Sequence, residues 1–312
     1  MSFFKILLEA DSEKEFKKKQ ACAFLIVITT ILLIVSVIAF AICQVVNVTA
    51  GKSPDEEKDT AEEAINLGET TTKELSPTAV NSGNLLTLNS TARYKGDVDV
   101  VNLQKREDRP QTEASKNAYT VLPAVQSKFH ATDATATALN KMLKAFYEAK
   151  KDDNLLISGA YDTSEVDSQE AIFSSGEAIA LSYFHDYANN GINDQRSIAG
   201  VDTYKWIYAN AHKYGFVAAS ANSNVFRYIG VTHASAAKLK GLTLDKYLNQ
   251  LKNATPEAPM RLDSSGTYVA YYCPIDNVIV PKNYSSEISG NNIDGVIVTV
   301  NLSSQVSDNV EN

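Results

Sequence analysis

The chain has 312 residues, 44% of them hydrophobic and 21% charged, an ordinary globular balance that excludes collagen-like, rod-like and wholly disordered chains. Lys and Arg total 29 against 37 Asp and Glu, so the formal charge is −8 and no positive field exists to attract nucleic acid. Of the three cysteines, Cys22, Cys43 and Cys273, only one lies beyond residue 43, which excludes an internal disulfide or a Cys-based zinc site there.

Residues 1–20 carry five lysines and four acids and read as a cytoplasmic tail within reach of anionic lipid. Ala21–Cys43 is 23 residues without a charge, enough at about 1.5 Å per residue to cross the roughly 30 Å of bilayer hydrocarbon. It exceeds the apolar region of a signal peptide, which runs to about 15 residues. We therefore expect a single transmembrane helix over 21–45. Lys14, Lys17, Lys18 and Lys19 precede it, whereas residues 52–82 hold eight acids and three lysines. The positive-inside bias then places the N-terminus in the cytoplasm and the bulk outside the plasma membrane.

Residues 46–81 are rich in Glu, Thr, Asp, Ser and Asn, with too little apolar surface to offset ordering entropy, and are expected to form a disordered tether. Asn47, Asn89, Asn253, Asn283 and Asn301 open N-x-S/T triplets, which a chain of this composition produces by chance. Leu139, Met142, Leu143 and Phe146 follow helical spacing and predict an amphipathic helix over 133–149. Asn154–Ser158 and Ile179–Phe184 read as strands. Thr203–Tyr214 reads as a helix capped by Asp202 and ended by Gly215. Thr232 is expected to cap a helix ending at Gly241, and Thr243 the next, with Leu244, Tyr247, Leu248 and Leu251 on one face. Thr267–Cys273, Asn277–Val280 and Gly295–Val300 are β-branched and aromatic runs, predicting a C-terminal antiparallel addition over 255–304 before a disordered tail, 305–312.

Several segments agree in order with one family. Gly83–Asn89 (GNLLTLN), Ile157–Gly159 with Tyr161 and Gln169, Trp206–Phe216, Phe226–Gly230 (FRYIG), Thr232–Ala234 and Gly241–Tyr247 (GLTLDKY) resemble successive motifs of the VanY-type D-alanyl-D-alanine carboxypeptidases. The resemblance implies an α+β fold, helices packed on a small antiparallel sheet, over residues 82–254. It also implies a zinc site that trims cell-wall peptides. The family's S-x-H-x-x-G-x-A-x-D pattern falls on Ala171–Ala180, keeping Gly176 and Ala178 but putting Phe173 and Ala180 at the two ligand positions. Its E-x-W-H pattern puts Asn222 at the base and Val225 at the last ligand. A catalytic zinc needs three donors, an open position and a base, and none of these four side chains serves. The Arg of the family's SGYRS, which would hold the substrate carboxylate, is absent around Tyr161 and Asp162.

None of the four histidines, His130, His185, His212 and His233, has an Asp seven residues later. Ser174-Ser175 and Ser264-Ser265 read as turn chemistry, Cys273 as a small buried hydrophobe, and Tyr268, Tyr271 and Tyr272 as strand packing. The expectation is a membrane-anchored pseudo-peptidase without a cofactor. Its cleft, around Gln169, Ser175, Trp206, Arg227 and Tyr228, would take a peptidoglycan stem peptide or an envelope protein. The alternatives are an active carboxypeptidase with an unrecognised metal site and a structural subunit of a membrane complex.

Overall fold

The computed structural model describes residues 65–103, 128–152, 154–184 and 195–305. The chain divides into two units, Met1–Ala64 and Ile65–Asn312, and the described residues all lie in the second. The expected cytoplasmic tail, the transmembrane helix, most of the tether, His185 and residues beyond 305 fall outside them. Among the described residues no helix is long and apolar enough to cross a membrane.

In chain order the strands are β1 (Thr70–Lys73), β2 (Val101–Asn102), β3 (Phe129–Ala131), β4 (Leu155–Gly159), β5 (Tyr161–Asp162), β6 (Ala178–Phe184), β7 (Gln195–Ser197), β8 (Phe216–Ala218) and β9 (Val225–Tyr228). They continue with β10 (Met260–Arg261), β11 (Tyr268–Pro274), β12 (Val278–Pro281), β13 (Tyr284–Gly290) and β14 (Gly295–Gln305). The helices are α1 (Asp133–Lys150), α2 (Lys205–Asn210), α3 (Val231–Leu239) and α4 (Leu244–Asn253).

A central antiparallel sheet runs in the order β4-β6-β9-β8, with β7 also on β6. Helix α1 forms where the apolar spacing predicts it. Thr132 Oγ1 accepts the Thr135 N–H at 3.3 Å to cap it, and Lys151 ends it at φ 54°. Its Leu139, Met142, Leu143 and Phe146 are buried against Ile157, Ile179, Leu181 and Phe226 of the sheet. Each such side chain contributes roughly 1.5–3 kcal/mol by leaving water.

The segment 202–214 is not one α-helix. It opens and closes as 3-10 turns around α2, and Asp202 makes no cap but pairs with Lys205 at 2.6 Å. Gly215, at φ 86°, ends it as expected. Helix α3 is entered from Gly230 at φ 81°, so Thr232 lies inside the first turn and is not its cap. The Asn154 start and Ile179 start of the expected strands shift by one residue to β4 and β6.

The C-terminal sheet, in the order β10-β11-β14-β13, is antiparallel throughout. Its strands alternate between two cores, as a period of two requires. Val269, Tyr271 and Cys273 of β11 and Val296, Val298 and Val300 of β14 meet Leu67, Val278 and Val280 on one side. Ala270 and Ile297 face the other way, onto Leu244, Tyr247 and Leu251 of α4. The addition is therefore part of a continuous packing arrangement and not an appendage beginning at residue 255.

The disordered tether is corrected for residues 65–81. Leu67 is buried, β1 pairs with β12, and a 3-10 turn over Pro77–Asn81 follows. Their hydrogen-bond partners come from strands two hundred residues away, which local composition does not register. Residues 83–89, matched to an opening strand, are irregular. Their backbone instead bonds outward, Leu85 N–H to Ser289 Oγ at 2.9 Å and Thr87 N–H to the Asn291 carbonyl at 3.0 Å.

Candidate functional site

The register of β6 on β9 sets Ala178 opposite Arg227 and Ala180 opposite Val225, while β4 brings Gly159 opposite Ala180. A 3-10 turn, Ala171–Phe173, returns the Phe173 ring to the same place. A Cβ at Gly159 would stand 3.1 Å from the Ala180 Cβ and 3.4 Å from Phe173 Cζ, so the missing side chain makes room for both. Phe173, Ala178 and Ala180 form one buried cluster, with Ile172 and Val225 packed against it. Three of the four positions that the motifs match to the family's ligands and base thus converge, as apolar groups.

Asn222 does not join them. It sits exposed on the β8–β9 turn at φ 58° and lines a separate pocket of about 320 Å³ with Tyr208 and His212. Hydrocarbon at 173, 180 and 225 offers no lone pair, so the residues present do not fit a zinc ion there. Among the described residues no three His, Cys, Asp or Glu side chains gather to hold a metal.

Beside this cluster lies a buried ion pair. Arg227 Nη2 stands 2.5 Å from Glu177 Oε2, with the arginine side chain 1% exposed and the glutamate 10%. Ser175 Oγ donates to the same carboxylate oxygen at 3.1 Å. Arg227 also reaches the Leu86 and Asn84 carbonyls at 3.5 Å, which ties the irregular segment to the sheet, while its Nε has no partner among the described residues. Burial pushes the Glu177 carboxyl up, against the opposing pull of Arg227 and Ser175.

The other expected cleft groups are divided between architecture and cavity. Gln169 Oε1 accepts the Asp162 N–H at 2.9 Å, and the Arg93 guanidinium donates to the Gln169 and Val166 carbonyls. A guanidinium is therefore brought to the 161–169 loop from an unexpected stretch of chain, where it holds backbone. Trp206 packs edge-on to Phe146 at 5.8 Å and tilts against Tyr214. Ser175, Tyr228 and Glu177 line a cavity of about 870 Å³. Its other walls are the 81–99 segment, through Tyr94, Asp97 and Asp99, and the C-terminal sheet, through Tyr268, Glu287 and Thr299.

Burial raises the hydroxyl pKa values of both Tyr94 and Tyr228. Glu177 adds to each, with Asp97 acting on Tyr94 and Glu287 on Tyr228. Sequence reasoning missed Glu177, the two aspartates and β13. Only Glu177 left a local signal, as the sole charge in the small and apolar run Ser174–Ala180.

His233 is buried, with Nδ1 2.7 Å from the Tyr247 hydroxyl and Nε2 2.8 Å from Thr299 Oγ1. His130 Nδ1 lies 3.0 Å from the Lys128 carbonyl. Burial lowers His212, with Lys238 and Lys213 adding to the shift, and its Nδ1 lacks a partner among the described residues. Ser174 Oγ donates to the Ala171 carbonyl at 2.6 Å and Ser265 Oγ to Asp263 at 3.1 Å, both as turn hydroxyls. Cys273 is 1% exposed, its thiol pKa raised by burial, and Tyr271 is fully buried, its hydroxyl donating to the Ile279 carbonyl.

No family model matches the chain. A D-alanyl-D-alanine carboxypeptidase of Enterococcus faecium is 26% identical over 245 residues, which are 71% of this chain and 76% of that protein. The vancomycin-resistance D,D-dipeptidase VanXYg, solved with a D-Ala-D-Ala phosphinate analogue, superposes with a TM-score of 0.53 at 20% identity, covering 75% of this chain and 99% of that one. The LD-carboxypeptidase LdcB gives a TM-score of 0.38 at 18% identity over 59% of this chain and 95% of its own. The resemblance to the D-alanyl-D-alanine carboxypeptidases, first visible in the order of motifs from residue 83 to 252, is thereby borne out by a relative in sequence and a neighbour in fold.

Proposed function

We propose that this chain is a membrane-anchored, extracytoplasmic pseudo-peptidase of the D-alanyl-D-alanine carboxypeptidase type, which binds or scaffolds in the bacterial cell envelope. The observation that carries the reading is the convergence of Phe173, Ala180 and Val225. The positions aligned with the family's metal ligands meet in one place and fill it with apolar atoms. Packing there replaces coordination, and the buried carboxylate of Glu177, next in the chain to Ala178 of the cluster, is paired with Arg227. The charge-free run Ala21–Cys43 supports the anchor. The relative's substrate class supports a wall stem peptide or a wall-associated protein as the partner.

The test is metal content of the purified full chain by elemental analysis, together with D-alanine release from a pentapeptide stem. We expect less than about 0.1 zinc per chain and no release above a buffer blank, as three absent donors remove the site rather than weaken it. Stoichiometric zinc with chelator-sensitive turnover would overturn the reading and support an active enzyme with a different ligand set.

A further inference from the structure

The cavity of about 870 Å³ has a wall that the carboxypeptidase-like motifs do not supply. Five consecutive residues of β13, Ser285 to Ser289, line it. Neighbouring side chains on a strand point to opposite faces, so a cavity lined by all five runs along the strand's edge as well as one face. That edge is open in part. Among the described residues, strand β13 pairs only with β14. At its far end Gly290 N–H bonds to the Ser82 carbonyl and Ser289 Oγ takes the Leu85 N–H. From Ser285 to Ile288 no backbone partner stands on the outer side among the described residues.

The exposed charges of the lining have one sign: Asp97, Asp99 and Glu287 line the cavity, Glu177 lies deeper and is paired with Arg227, and no Lys or Arg is among the described lining residues. Aromatic surface comes from Tyr94, Tyr228 and Tyr268, and hydroxyls from Ser285 and Ser286. An open strand edge takes an extended chain by main-chain pairing, and adjoining pockets select its side chains. Here the selection favours positive charge and disfavours carboxylates.

We propose that this cavity is the docking site of an extended cationic peptide, its backbone pairing with β13 at Ser285–Ile288 and a protonated side-chain amine entering among Asp97, Asp99 and Glu287. The cavity holds none of the Phe173, Ala180 and Val225 cluster but shares Ser175 and Tyr228 with the cleft of the proposed function. The proposal therefore rests on that reading's peptide-binding part and specifies its ligand, and its binding test is read separately from zinc content and D-alanine release.

The experiment titrates the full chain, in detergent micelles, with an end-blocked Ala-Ala-Lys-Ala-Ala peptide. Two controls accompany it: norleucine in place of lysine, and the lysine peptide N-methylated on alternate backbone amides. We expect saturable binding, weakened about fivefold by norleucine and about fivefold by N-methylation. The lysine preference should vanish in the Asp97→Asn, Glu287→Gln double variant. Both side chains are exposed, so the variant tests charge and not folding, and the norleucine comparison on the unaltered chain gives the same information independently. Absence of saturable binding, equal affinity for lysine and norleucine, or indifference to N-methylation would each overturn the proposal.

Discussion

His233 carries the clearest pH consequence among single residues. Both ring nitrogens are engaged in the interior, by Tyr247 and Thr299, and burial lowers its pKa from 6.5 to about 4. The unfolded chain takes up a proton below about pH 6.5, while the folded chain resists until about pH 4. Below 6.5 the unfolded state therefore binds more protons, and stability is lost as pH falls through that window. One proton over one and a half pH units is worth about 2 kcal/mol, so His233 by itself should lower the stability reported by denaturant unfolding at pH 5 by that much relative to pH 7.5. A His233→Gln chain should lack this component of the pH dependence. Its retention would show that another group titrates there. Arg227 illustrates a different constraint: its guanidinium holds Glu177 and two carbonyls of the irregular segment, so the side chain that FRYIG offered as a ligand contact is a brace between sheet and cavity wall.

At the scale of elements, the β6–β9 register carries the proposed loss of the metal site, because Ala180 and Val225 are cross-strand partners. Replacing them with ligands is then a direct test. The triple variant Phe173→His, Ala180→Asp, Val225→His should bind about one zinc per chain after dialysis. Without metal it should be less stable by about 3 kcal/mol or more, from polar groups placed in an apolar cluster. A variant that folds and binds no zinc would break the correspondence between these positions and the family's ligands. The longer strands and helices are legible because their signals are local: four apolar residues at helical spacing for α1, a short apolar run for β6, and β-branched and aromatic runs for β11 and β14. Strand β13 (YSSEISG) was not legible, since its polar residues border a cavity and leave no apolar alternation to read. Strand β1 (TTTK) was missed for a related reason, being exposed at all four residues and held by its pairing to β12. Of the four positions placed by motif alignment, Phe173, Ala180 and Val225 pack together, whereas Asn222 stands apart on a turn, because strand register and not motif spacing decides which side chains meet.

For the described unit as a whole, the division between a carboxypeptidase-like part ending at residue 254 and a β addition is one of sequence pattern and not of packing. Tyr247 and Leu251 of α4 are fully buried, and Ala270 and Ile297 of the C-terminal sheet belong to the same core. The Tyr272 N–H bonds to the Ala254 carbonyl across the supposed boundary, and His233 reaches Thr299. Cutting at 254 would expose Leu244, Tyr247 and Leu251 at roughly 1.5–3 kcal/mol each. It would also leave His233 with an unpaired ring nitrogen. Against a domain stability of about 5–15 kcal/mol, that loss is not survivable. A fragment of residues 65–254 should therefore show no cooperative thermal transition by near-ultraviolet circular dichroism, while 65–305 should show one. If the shorter fragment melted cooperatively, the C-terminal sheet would be a separable module, and the wall it gives the cavity would be a docked surface rather than an integral one.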